Sequence, residues 1–207
     1  QSDIIIKAFN VEITRADVQT LKPRQWLNDE IINMYCQMVM KRCKSNPERY
    51  PAVHCFNTFF YKFMCDTGYN AVRKWTKKID IFALDAVIIP VHLGMHWCCA
   101  IINIAKKRFE YYDSMHGGPG SCLQTLRKYL TAEHLDKKRS PIDLSSWTDY
   151  SPRDIPAQEN GFDCGVFTCM WMEYASRREP FDFSQTNMPY LRQRIVAEIL
   201  QSQLMCE

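Results

Sequence analysis

The sequence predicts an α+β domain, a small central β-sheet with helices packed on it. Three observations carry this. Apolar residues recur at helical spacing before residue 85 and again after residue 120. Between them lie the β-rich runs "AVIIPV", "HWCCAIINI" and "RFEYYD". No repeat or low-complexity linker interrupts the chain, so residues 1–207 read as one domain with one sizeable core.

Thr14 and Asp17 form a T-x-x-D capping signature for a short helix ending near Lys22-Pro23. From Asn28, the spacing of Ile31, Ile32, Tyr35, Met38 and Val39 predicts a helix of several turns. "NTFFYKFMC" and, beyond Gly68, "AVRKW" suggest two further short helices. The texture turns to strand at Asp85, with "AKK" as a hairpin turn between the second and third β-runs. "SCLQTLRKYLTAEHL" returns to helical period. "WTDYSPRDIPAQ", with its prolines, reads as loop or edge strand. "CGVFTCMWMEYASRR" reads as a buried helix, and Pro189 sits near the start of a last helix running to about Leu204.

Composition excludes several classes. The net charge of +3 gives no argument for nucleic acid, and the short runs at 77, 106 and 137 read as solvated loop edges. The longest apolar runs fall well short of a membrane span, and "QSDIIIKAFN" lacks the features of a signal peptide. Ten cysteines, Cys206 among them, fall mostly inside apolar periodic segments and include no CxxC. Reduced core thiols in a cytosolic or nuclear protein therefore fit better than a disulfide framework.

The chemistry centres on "IPAQENGFDCGVFT". Cys164 stands at the threshold of an apolar helix, where the positive end of the helix dipole and unpaired N–H groups favour a thiolate. The plainer alternative is a small core hydrophobe, as Cys169 must be. A nucleophilic thiol needs a base and a group that orients the base. His54 and His134 sit in polar connecting segments, and His116 reads as a turn residue. His92 and His96 stand four apart, but Leu93 follows the first, and Pro90 and Gly94 break any helix, so zinc is not expected. His96 opens a strand. If 96–104 and 108–113 form a hairpin, Asp113 becomes its neighbour, although a turn-initiating Asp is the common alternative. The amide of Gln158, with the Cys164 backbone N–H, supplies an oxyanion site. No metal or cofactor is needed.

"WLNDEIIN", "HLGMHW", "YYDSM" and a Q-x5-C-G run, in this order, resemble the sentrin-specific (Ulp-type) cysteine proteases that process the ubiquitin-like modifier SUMO. The likeness extends to "FNTFF", "AVRKWTKK", "DKKR", "DCGVF" and "MPYLRQR", nearly the whole chain. It implies a papain-like cysteine protease fold with Cys164 as nucleophile, His96 as base, Asp113 as orienter and Gln158 as oxyanion donor. It implies that Trp26 and Trp97 flank a narrow slot for a substrate ending in Gly-Gly, with His92 beside them. It also implies a docking face for the modifier drawn from Phe9, Arg15, Asp29, Arg73 and Lys74; the alternative is a core-packed Phe9 and solvated charges. SUMO and SUMO-conjugated proteins are the partners implied, for a monomer acting in precursor maturation and in deconjugation from lysine. The location implied is intracellular, the nucleus or nuclear envelope first and the cytoplasm second. Two departures stand out: Phe162 in "NGFDCG", where a small or polar residue is expected, and the unusual "MHGGPG". A protease for another modifier, such as a deneddylase, and an inactive SUMO-binding module both remain open on sequence alone.

Overall fold

The computed structural model describes residues 3–205. A hairpin opens it, β1 (Ile4–Ala8) and β2 (Val11–Thr14), turning through Phe9 and Asn10, both at positive φ (54° and 61°). That pair of left-handed residues gives a tight turn whose twist matches the strands it joins. Helix α1 (Arg15–Gln19) follows directly, capped by Thr14 and Asp17 in the reciprocal box that the sequence predicts. Asn28 caps α2 (Asp29–Ser45) through its side-chain oxygen. Then come β3 (Val53–Cys55), α3 (Phe60–Asp66) and α4 (Tyr69–Val72). Strands β4 (Ala86–His92), β5 (Trp97–Asn103) and β6 (Arg108–Tyr112) follow, then α5 (Cys122–Lys138), β7 (Thr148–Tyr150), α6 (Cys164–Ala175) and α7 (Met188–Gln201).

The central sheet has five strands in the order β3-β4-β5-β6-β7 and is mixed, with antiparallel pairs in the middle and a parallel pair at each edge. Both faces are covered, which is why β4 and β5 read as unbroken apolar runs. The pleat sends Cys98, Ala100 and Ile102 to one core with α3 and α5, and Cys99 and Ile101 to the other with α2, α6 and α7. Helix α6 lies inside this second core, and every residue from Cys164 to Tyr174 is buried.

The structure corrects the sequence reading in several places. Strands precede Asp85: β1 pairs with β2 over residues 4–14, and β3 pairs parallel to β4. They are short, and β3 gains its hydrogen bonds only from a partner 33 residues away (Val53 to Ala86). His54 therefore belongs to β3 and His134 to α5, neither to a connecting segment. Helix α4 stops at Val72, so Lys74 and Trp75 stand in a turn. Helix α7 ends at Gln201, where Ser202 turns left-handed (φ 51°). The nine described cysteines are all free thiols, and only Cys65 among them is exposed. Cys206 lies outside the described residues.

Candidate active site

The β5–β6 hairpin pairs Cys99 with Tyr112, so the residues just beyond those ends are brought together at one corner of the sheet. There His96 donates from Nε2 to Asp113 Oδ1 at 2.6 Å. Asp113 is itself fixed by its own turn. Its Oδ1 accepts from the Met115 N–H and its Oδ2 from the Gly117 N–H, each at 2.9 Å. A Cβ on residue 117 would stand 2.6 Å from Asp113 Oδ2, so the "HGG" stretch needs glycine here to let its backbone reach the carboxylate. His116, at φ 56°, is the expected turn residue, and its Nε2 donates to the Ile155 carbonyl at 3.1 Å.

Burial pushes the Asp113 carboxyl up, but the bonds from His96 and the two backbone N–H groups outweigh it and hold the group below the usual carboxylate range. The same contact with Asp113 drives His96 the other way. Helped by hydrogen bonds with the thiols of Cys164 and Cys98, it raises the imidazole to about 12. His96 is thus held as an imidazolium against Cys164, the first residue of α6. In such sites the thiolate is the attacking species.

The loop before Cys164 is organised by two residues. Asn160 Oδ1 accepts from the Phe162 and Asp163 N–H groups, and its Nδ2 donates to Asp163 Oδ2 at 2.7 Å. Gln158 is held by Ser114, whose Oγ donates to Oε1 at 2.7 Å and whose carbonyl accepts the Gln158 N–H at 2.8 Å. The Asn160 carbonyl, which can only accept, fixes which end of the amide is nitrogen, and the Ser114 hydroxyl turns its proton to the oxygen. One N–H of the Gln158 amide donates to the Asn160 carbonyl, which leaves its second hydrogen for another acceptor.

Both tryptophans are tied to this corner by their indole N–H groups, Trp26 to the Gly161 carbonyl at 2.8 Å and Trp97 to the Leu27 carbonyl at 3.1 Å. They differ in exposure: Trp97 is 5% exposed beneath the His92 ring (centroids 4.3 Å apart), whereas Trp26 is 45% exposed. Gly165 explains the close fit. A Cβ there would meet Leu27 Cβ at 2.7 Å, so the glycine after the cysteine lets α6 abut the residue following Trp26. Leu93, Met95 and Met115, in the turns beside His96 and Asp113, add an exposed apolar rim.

The docking candidates fall in two sets. Phe9, Arg15 and Asp29 belong to the hairpin, α1 and α2 on one side of the sheet, while Arg73 and Lys74 follow α4 on the other. Phe9 is not the exposed anchor expected of it. It is half-buried against the core, with Lys41 Nζ 5.5 Å above its ring. Arg15 faces Asp3 at 3.8 Å, Arg73 pairs with Asp136 at 3.2 Å, and Lys74 is exposed.

Sequence reasoning passed over Arg192. Its guanidinium is buried and binds Asp163 Oδ1 twice, at 2.7 and 2.9 Å. It also donates to the carbonyls of Thr20, Lys22, Gln25 and Phe162. One side chain thus joins the loop before Trp26 to the loop before Cys164. The signal was there: Arg192 occupies the apolar stripe of α7 with Met188, Ile195 and Ile199, and a charge in such a stripe demands partners. Phe162 is half-buried and lines a groove with Leu21, Pro23 and Met188, while its backbone serves Arg192 and Asn160. The departure from the expected small residue therefore leaves the polar network intact.

Comparison with known proteins agrees with this geometry. Residues 25–204 match the Ulp1 protease family, C-terminal catalytic domain. The chain is 48% identical over 200 residues to a sentrin-specific protease of Caenorhabditis elegans, spanning 97% of this chain and 29% of that protein. It is 42% identical over 207 residues to human sentrin-specific protease 2, spanning 99% of this chain and 35% of that one. It thus covers about a third of the length of these relatives. A crystal structure of the C-terminal Ulp1 protease domain in complex with Smt3, the yeast ortholog of SUMO, superposes with a TM-score of 0.84 at 33% identity, covering 98% of this chain and 89% of that one. No helix of the described residues is long and apolar enough to cross a membrane. By fold, by motif and by sequence over nearly its whole length, the chain belongs to the Ulp1 protease family.

Proposed function

We propose that this domain is a SUMO-specific thiol protease that cleaves after the C-terminal Gly-Gly of SUMO. The observation that carries the reading is the placement of His96, hydrogen-bonded to Asp113 at 2.6 Å and set beside Cys164 at the start of α6. The thiolate of Cys164 attacks the carbonyl of the last glycine. The Gln158 amide and the Cys164 backbone N–H receive the oxyanion, within a corner of the fold that is already hydrogen-bonded into place. His96 gives its proton to the leaving amine, and a water activated by the then-neutral imidazole hydrolyses the thioester. Trp97 is the buried wall and Trp26 the exposed cover of a slot that admits backbone without side chains, which selects glycine by exclusion.

The leaving amine is either the ε-amine of a lysine in a conjugate or the α-amine of a precursor tail, since nothing in the chemistry separates the two. The choice of SUMO rests on the relatives' names and on the Ulp1–Smt3 complex. Buried free thiols fit a reducing intracellular compartment, the nucleus first. A panel of fluorogenic C-terminal reporters of SUMO, Nedd and ubiquitin tests the reading. Turnover of the SUMO reporter alone is expected; preference for Nedd would make the protein a deneddylase, and binding without turnover an inactive module.

A further inference from the structure

Cys98 is a buried thiol that the proposed chemistry leaves unused, and its position is unusual. A ring nitrogen of His96, the Cys98 sulfur and a carboxylate oxygen of Asp113 lie within 4.8 Å of one another. The three come from one hairpin: His96 and Cys98 from the start of β5, Asp113 from the end of β6. Cys98 points into the core shared with α3 and α5, whereas Cys164 belongs to the core on the other face. The pair His96–Asp113 is therefore flanked by two thiols, one on each face of the sheet. His92, the other histidine near the site, is exposed and is not part of this cluster; its ring lies against Trp97, tilted by 32°.

One sulfur, one imidazole nitrogen and one carboxylate oxygen form a mixed donor set that suits a thiophilic divalent ion and does not suit magnesium or calcium. Zinc sites with three protein ligands and one open position are common. To reach bonding geometry the Cys98 sulfur closes by about an ångström, while Nε2 and Oδ1, 2.6 Å apart, give up their hydrogen bond and open to admit the ion. We propose that His96, Cys98 and Asp113 form an inhibitory binding site for Zn2+ or a similar thiophilic ion. The metal takes the Nε2 of His96, the Cys98 thiolate and an Asp113 oxygen, releasing the thiol proton and the Nε2 proton to solvent. The ring then carries its remaining hydrogen on Nδ1 and has no lone pair with which to handle the protons of catalysis. The ion switches the enzyme off by sequestering the base, without touching Cys164. The inhibition rests on the proposed protease chemistry; the binding does not.

Binding is therefore measured where activity plays no part, in a Cys164→Ala chain that also carries Cys65→Ser and Cys206→Ser to remove the exposed and terminal thiols. Calorimetric titration with Zn2+ is expected to give one ion per chain, and Co2+ is expected to give a thiolate-to-metal charge-transfer band. Adding Cys98→Ser, or Cys98→Ala should the serine variant fold poorly, is expected to abolish the band and weaken Zn2+ binding by about tenfold or more. In the chain with Cys164 restored, half-inhibition of SUMO-reporter cleavage is expected near the measured dissociation constant. The proposal is overturned if Zn2+ binding disappears with Cys164→Ala, since the ion then sits on the nucleophile, or if Cys98→Ser leaves affinity and band unchanged. Binding as described in a chain that proves to have no protease activity would sink the protease reading and leave the metal site standing.

Discussion

The two ends of α6 are each held by a buried arginine–carboxylate pair, yet the pairs serve different ends. At the N-terminus Arg192 grips Asp163 and spends its remaining donors on four loop carbonyls, so loops that the chain order separates meet around Cys164. At the C-terminus Glu173 is gripped by Arg42 from α2 and by Arg177 from the turn that follows α6, and Arg42 also donates to Ser176 Oγ. Burial pushes the Glu173 carboxyl up, but the two guanidinium groups prevail and keep it below its usual range. One pair joins loop to loop, the other helix to helix. A buried ion pair is weak evidence for net stability, because desolvation costs about as much as the attraction returns. What it does supply is a fixed geometry, and only at the N-terminal end does that geometry carry chemistry.

The largest effects are expected at the N-terminal end. Cys164→Ser should abolish cleavage and leave SUMO binding intact, while Cys169→Ser, five residues along the same helix and fully buried, should act on stability. Asp113→Asn should lower kcat by about 10⁴-fold with little change in substrate affinity, because the imidazole loses both its orientation and its charge partner. Near-normal turnover in a folded Asp113→Asn protein would remove Asp113 from the site.

Cutting the two ion pairs tests the comparison directly. Arg192→Met strands a buried Asp163, and Glu173→Leu strands a buried Arg42. Each should cost about 3–5 kcal/mol of unfolding free energy in urea titrations. Assayed on folded protein, only the Arg192 variant should lose kcat, by about 10²-fold, the scale for groups displaced by an ångström. Equal losses of kcat in both variants would mean that α6 responds as one rigid body and that its two ends do not divide the work.

What was legible in the sequence follows from the same contrast. His96, Asp113 and Cys164 could be singled out because each stands at or beside the end of an element with local signals. Gln158 could be because it lies in the proline-flanked loop six residues before the cysteine, and the order of the motifs then joined them. The hairpin register alone carried His96 to Asp113. Arg192 and Ser114 were not read, although both are buried around the site, because their partners lie in distant segments that only folding brings near. Strand β3 escaped for the same reason, since three residues have no period of their own. For Phe9 the sequence left an exposed anchor and core packing both open, and the turn at positive φ folds the ring half-buried against the core.

A smaller effect separates the two ends of the pH scale. In β3 the His54 ring meets Phe56 edge-on at 4.8 Å, and burial holds its pKa down to about 4. The unfolded chain binds this proton near the ordinary value of about 6.5, so the stabilisation is whole above that pH and is lost as pH falls toward about 4. The loss amounts to about 3 kcal/mol across that window. Asp113 and Glu173 have lowered values, so their contributions are lost only below the ordinary carboxylate range, as pH falls through those folded values. The fall in urea midpoint from pH 7.5 to 5 should therefore be smaller, or reversed, in His54→Phe. His96, raised to about 12, contributes stability in the opposite direction, lost as pH rises above about 6.5. An unchanged pH dependence in that variant would assign the transition to another group.

The smallest effects belong to the docking charges, and they decide whether recognition lies outside the slot. Gly-Gly is common to several modifiers, so preference among them needs contacts remote from Cys164. Lys74 is the cleaner probe. It stands exposed in the turn after α4, whereas Arg15 already faces Asp3 and Arg73 already pairs with Asp136. An exposed charge of this kind contributes about 0.5–1 kcal/mol, so Lys74→Glu should raise KM for a full-length SUMO reporter roughly two- to fivefold and leave kcat unchanged. Arg15→Glu should do less, because losing the Asp3 contact offsets part of the change. Salt should reproduce the effect in the wild type, since screening acts on exposed charges first. A short peptide ending in Gly-Gly, which reaches only the slot, should be cut poorly and should not distinguish the variants. If the peptide and full-length SUMO are cleaved with equal kcat/KM, recognition ends at the two tryptophans and the charges on both sides of the sheet are merely solvated.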